Sequence, residues 1–76
     1  MSYEKAVELF LKAAEQEEGD ALYHLGCCYV HGNGVEKDND KAIEYFYRSA
    51  DAGTKEAVEV LQSNGFPYPL EEESEL

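Results

Sequence analysis

The sequence repeats itself at an offset of 36 residues. The run KAVELF at residues 5–10 aligns without a gap with KAIEYF at residues 41–46, and the register persists as far as Leu25 and Leu61. A repeat of this length is typical of solenoids, in which one supersecondary unit recurs and packs on its neighbours. The chain is therefore restricted to architectures built by stacking a single kind of unit.

Apolar side chains inside each unit follow a helical spacing. In the first segment they recur three and four positions apart, with charged side chains on the opposite face. This apolar set is Tyr3, Ala6, Val7, Phe10, Leu11 and Ala14. Gly32 and Gly53 can end helices, and Asp38 or Asn39 and then Thr54 can begin the next ones as N-caps. The pattern predicts an all-α fold, a short α-solenoid of four helices in two antiparallel hairpins (αα-superhelix type).

The second predicted helix has two different faces. At 100° per residue, one face gathers the small and apolar residues Ala21, Leu22, Leu25, Gly26, Cys28 and Tyr29. The opposite face gathers Asp20, Tyr23, His24, Cys27, Val30 and His31. We expect the first set in the core and the second set on the surface.

The charge balance limits the classes of partner. With 17 acidic and 6 basic side chains among 76 residues, the net charge is −11. This charge repels phosphate backbones and anionic lipid, so we expect no binding to nucleic acid or membrane, and it favours a basic protein partner. No apolar run reaches the length of a signal peptide or a membrane span. We therefore expect a cytoplasmic protein with one small domain.

The segment from Ala21 to Asp38, ALYHLGCCYVHGNGVEKD, resembles the Sel-one-like repeat. The pattern of that family is A-x-x-x-L-G-x-x-Y-x-x-G-x-G-V-x-x-D, followed by K-A-x-x-Y/W-Y/F, which residues 41–46 match. One complete repeat covers about residues 20–53 and half repeats flank it, which predicts a repeat domain over residues 1–65. Residues 66–76 hold two prolines and then four carboxylates, which predicts an extended acidic C-terminal tail. Tyr68 either covers the apolar end of the fourth helix or belongs to a short linear motif.

The resemblance implies an α-solenoid related to tetratricopeptide repeats, whose members act as adaptors or scaffolds on a curved surface. It also implies that one side of the second helix lines the concave face. The partner-binding residues expected there are Tyr23, His24, Cys27, Val30 and His31. Secreted members of the family join adjoining helices with a cysteine pair, and the matching positions here are Ala14 with Leu22 and Ala50 with Val58. The resemblance therefore disfavours the disulfide-bearing branch.

Metal binding and catalysis have weaker support in the sequence. His24, Cys27, Cys28 and His31 lie within about 100° of one helix face, but a single helix offers ligands only side by side, whereas a closed zinc shell takes ligands from two elements. We expect no metal and no cofactor. No nucleophile with a paired base and no phosphate-binding glycine loop is recognisable, so we expect no enzyme.

Two functional hypotheses follow from these observations. The first is a non-catalytic adaptor or scaffold that binds a protein partner through the concave helix face. The alternative is an acidic inhibitor or immunity-type protein that masks a basic partner such as a nuclease or toxin. Self-association through exposed terminal half repeats is an additional hypothesis, because half repeats leave apolar faces uncovered.

Overall fold

A computed structural model describes residues 2–69 of the chain. They form four helices, α1 (Tyr3–Ala14), α2 (Gly19–His31), α3 (Asn39–Asp51) and α4 (Lys55–Ser63), and no strand occurs among them. Each helix packs on the next along the chain, as expected for antiparallel hairpins with short connections. The predicted all-α solenoid is confirmed. No helix in residues 2–69 is long and apolar enough to cross a bilayer.

Local capping sets the helix ends. The side chain of Asp38 accepts a hydrogen bond from the Lys41 backbone N–H at 3.1 Å, as predicted for the α3 N-cap. Gly32 ends α2 in the left-handed conformation, with φ of +73°. Thr54 occupies the N-cap position of α4, as predicted. Its side chain, however, makes no capping hydrogen bond. The Thr54 hydroxyl lies instead so close to Gly19 that a β-carbon on that residue would clash with it.

The buried residues form two clusters. The α1–α2 cluster contains Val7, Ala14, Leu22, Leu25 and Cys28, and the α3–α4 cluster contains Ala42, Phe46, Ala50, Ala57 and Leu61. The predicted core face of α2 is buried, except that Tyr29 is half-buried and stacks on Tyr45 with 5.7 Å between ring centroids.

At Gly26, α2 packs directly against α3. A β-carbon on Gly26 would lie 2.7 Å from the ring of Phe46, so only glycine fits this position without a rearrangement. One turn of α3 further on, the fully buried hydroxyl of Ser49 donates to the Gly19 carbonyl at 2.7 Å. Small residues thus allow α2 and α3 to pack closely at both of these contacts.

The segment Phe66–Pro69 folds back over the end of the solenoid. Phe66 and Tyr68 pack on the α3–α4 cluster. The Tyr47 hydroxyl donates to the Pro67 carbonyl at 2.8 Å, and the Tyr68 hydroxyl donates to an Asp51 carboxylate oxygen at 2.9 Å. The first of the two alternatives for Tyr68, covering this end of the fold, is therefore the one observed. The rest of the predicted acidic tail, residues 70–76, lies outside the described residues.

Candidate partner-binding groove

An apolar groove of about 500 Å³ opens between α2 and α4. α2 contributes Cys27, Val30 and His31, which lie on one face because they are spaced three and four residues apart. The remaining lining residues come from α3 and from the C-terminal half of α4 with the residues after it. They are Asn39, Ala42, Ile43, Phe46, Val60, Leu61, Asn64 and Phe66. Most of the lining side chains are apolar and none is a carboxylate, a lysine or an arginine, so the groove suits an apolar guest.

Two polar side chains of the groove are held by their own helices. The Nδ1 atom of His31 lies 3.1 Å from the Cys27 carbonyl oxygen. Because a carbonyl can only accept, Nδ1 carries the proton in this contact and Nε2 is left available to a partner. The side-chain amide of Asn64 donates to the Val60 carbonyl at 2.7 Å. These contacts leave polar groups at the groove without filling it.

Tyr23 joins the groove to an acidic region. Its ring packs on Phe46, with 5.8 Å between centroids. The pKa of Tyr23 is raised by the neighbouring Cys27, by partial burial, and also by the carboxylates of Glu56 and Glu59. The tyrosine therefore lies within the electrostatic influence of the first turns of α4.

An acidic cleft of about 650 Å³ lies where α2 and α4 begin. Its charged lining residues are Glu18, Asp20, Lys55, Glu56 and Glu59. Four carboxylates and one ammonium leave a negative surface there. The sequence analysis did not predict this cleft, although the repeat indicates it. Asp20 aligns with Glu56 at the offset of 36, so two equivalent helices carry a carboxylate at the same repeat position.

The five predicted site residues do not all face the same surface. Cys27, Val30 and His31 line the groove, and Tyr23 adjoins it through Phe46. His24 does not line it: its ring stacks on Phe10 of α1 at 5.0 Å with an interplanar angle of 13°. The direction of His24 could not be read from the helical spacing, because it depends on where α1 crosses α2.

The cysteines and histidines of α2 do not converge on a metal. Cys28 is buried against α1, whereas Cys27 and His31 line the groove and His24 lies on Phe10. Within residues 2–69, no three histidine, cysteine or carboxylate side chains are placed to hold a metal ion. Both thiols are free, and burial raises the pKa of each. They are therefore protonated and weakly nucleophilic near neutral pH.

Comparisons with known proteins agree on one family. The sequence profile of the Sel1 repeat matches residues 2–18 and 19–54. DAP3-binding cell death enhancer 1 of Rattus norvegicus is 35% identical over 60 residues, which are 79% of this chain and 12% of the relative. The Sel1-repeat-containing protein YjcO of Escherichia coli K12 is 40% identical over 52 residues, which are 63% of this chain and 23% of the relative. The matched regions thus span less than a quarter of either relative. No solved structure matches the chain.

Proposed function

Since the chain belongs to the Sel1 repeat family, whose repeats mediate protein–protein interaction, we propose that it is a non-catalytic adaptor that binds a protein partner in the groove between α2 and α4. The observation that carries the proposal is the groove itself: an open apolar cavity of about 500 Å³ that is lined by residues of α2, α3 and α4. Apolar anchors that enter such a cavity supply most of the affinity of a protein interface. The name of the rat relative, which describes it as binding DAP3, supports the general class of function.

The proposal is tested by removing apolar area from the groove. A Val30→Ser, Val60→Ser variant shortens one side chain on each of α2 and α4. A control, Leu11→Ser, removes an apolar side chain from α1, at a position that does not line the groove. Partners are captured with the wild-type chain, purified and titrated by calorimetry. We expect the groove variant to bind at least about tenfold more weakly and the control to bind like the wild type, with circular dichroism confirming that both remain folded.

The acidic cleft supports a second candidate function, that of an acidic inhibitor, and the same experiment tests it. A charge-masking inhibitor would lose its partner as salt rises but would keep it when the groove is altered, because its contacts are electrostatic. An adaptor would show the opposite pattern. Unchanged binding by the groove variant would refute the adaptor proposal.

Self-association is proposed for the α1 end of the domain. Leu9 is 66% exposed, whereas the residue at the equivalent repeat position, Tyr45, stacks on Tyr29. At the other end, Phe66 and Tyr68 cover the core. We expect a reversible dimer that a Leu9→Gln substitution weakens, and light scattering across a range of concentrations measures it. A wild-type chain with the mass of one copy at all concentrations would refute this proposal.

The cytoplasmic location stays a prediction. The free thiols Cys27 and Cys28 are compatible with a reducing compartment.

A further inference from the structure

The groove and the acidic cleft lie along the same pair of helices. The cleft is at the N-terminal ends of α2 and α4, and the groove is at their C-terminal ends. In α4 the two are consecutive: Glu59 lines the cleft and Val60 lines the groove. Tyr23 lies between the two regions along α2, after Asp20 of the cleft and before Cys27 of the groove, and its ring packs on the groove residue Phe46. One guest can therefore reach both regions.

The two regions differ sharply in chemistry. The groove is lined by apolar and neutral side chains, with His31 as its one imidazole. The cleft carries the carboxylates of Glu18, Asp20, Glu56 and Glu59 against the single ammonium of Lys55. Because four negative charges outnumber the single positive charge of Lys55, the cleft attracts a cation and repels an anion. The groove favours the burial of apolar area and disfavours a charged group, which would lose its hydration there.

We propose that the partner segment of this adaptor carries an apolar or aromatic anchor, which fills the groove, and, within a few residues of it, lysine or arginine side chains, which lie over the acidic cleft. This inference rests on the proposed function, because it assumes that the groove binds protein. It adds the chemistry of the partner and the order of its contacts. Most of the affinity comes from the anchor, while the basic residues add a smaller, salt-dependent part, speed encounter and set the direction in which the segment lies.

Helix geometry sets the spacing between the two parts of the segment. The middle of the cleft and the middle of the groove are about five residues apart along α4 and about ten along α2, or about 8–15 Å at a rise of 1.5 Å per residue. An extended peptide advances about 3.3 Å per residue. The basic side chains should therefore fall about two to five residues from the anchor.

The direct test selects peptides from a random twelve-residue library displayed on phage. The targets are the wild-type chain, a cleft variant (Glu56→Gln, Glu59→Gln), and a control (Glu4→Gln, Glu8→Gln) that removes the same charge from exposed positions on α1. A fourth target is the groove variant Val30→Ser, Val60→Ser. We expect wild type and control to select an apolar anchor with lysine or arginine two to five residues away. The cleft variant should select the anchor without the basic residues.

One selected peptide is then titrated by fluorescence anisotropy at 50 and 300 mM salt. We expect the cleft variant to bind about three- to tenfold more weakly than wild type at low salt, with the difference shrinking at high salt as screening increases. The control should follow the wild type. Selected peptides with an anchor but no enrichment of basic residues would overturn this inference and leave the proposed function standing. Peptides that bind the groove variant as well as the wild type would overturn the proposed function itself.

Discussion

Replacing Gly26 by alanine tests how closely α2 and α3 must approach. The added β-carbon would lie 2.7 Å from Cε1 of Phe46 and 2.8 Å from Cδ1 and Cζ. Carbon atoms in contact prefer about 3.5–4.0 Å, so the ring or the helix has to move by about 1 Å. The ring is 4% exposed and packs on Tyr23, so it cannot move without disturbing a neighbour.

Two opposing effects decide the size of the change. Overpacking a core costs about 1–3 kcal/mol, whereas alanine is better than glycine inside a helix by about 1 kcal/mol. We expect Gly26→Ala to lower the free energy of unfolding by about 1 kcal/mol, the difference between a mid-range clash and the helix propensity. In a Phe46→Val background, the atoms Cδ1, Cε1 and Cζ are all gone, so only the helix propensity remains and the same substitution should raise the free energy of unfolding.

Urea unfolding followed by circular dichroism at 222 nm measures all four chains of this double-mutant cycle. The propensity effect belongs to residue 26 alone and cancels between the two backgrounds, so the coupling energy isolates the clash with the ring. We expect a coupling of about 2 kcal/mol and a change of sign. If Gly26→Ala has the same effect in both backgrounds, the contact with Phe46 is not the reason for glycine at this position.

Three further perturbations test other contacts. Ser49→Ala removes the buried hydrogen bond to the Gly19 carbonyl and should lower the free energy of unfolding by about 1–2 kcal/mol in urea; a neutral result would mean that another group satisfies the carbonyl. Glu17→Gln breaks the ion pair with Arg48. The side chains of Glu17 and Arg48 are 59% and 42% exposed, so solvent screening limits the loss in the free energy of unfolding to about 0.5 kcal/mol. A loss several times larger would contradict this reasoning. Burial raises the pKa of the Cys28 thiol above its ordinary value of 9.0. Below pH 9 the thiol is protonated in both the folded and the unfolded chain. As the pH rises from there through the folded pKa, this contribution to the free energy of unfolding is lost, because the unfolded thiol ionises first. Unfolding measured from pH 8 to 11 should therefore show a steeper decline in the wild type than in Cys28→Ala, and parallel profiles would refute the assignment.

The helices and their inner faces were predictable from the sequence because their causes are local. Gly32 stops α2 because it tolerates a positive φ, and Asp38 starts α3 because its carboxylate reaches the N–H of Lys41. The offset of 36 residues then implies that Ala6 and Ala42, or Leu25 and Leu61, occupy equivalent places in stacked units. Periodicity of this kind determines which side of each helix is buried.

Properties that depend on how the helices cross were decided only by the tertiary structure. His24 and Cys27 belong to the same predicted face of α2. The ring of His24 nevertheless stacks on Phe10 of α1, whereas Cys27 lines the groove between α2 and α4. The acidic cleft forms because the starts of two helices 36 residues apart meet in space.

The sequence by itself therefore determined the four helices, their repeat register, their buried faces and the strong negative charge, since backbone hydrogen bonding, capping and amphipathic spacing act over a few residues. Only the tertiary structure decided which exposed side chains share a surface, that the Thr54 side chain packs on Gly19 instead of accepting a capping hydrogen bond, and that Tyr68 folds back to Asp51. These outcomes depend on distances between residues far apart in the chain, which helix packing sets and a local pattern does not contain.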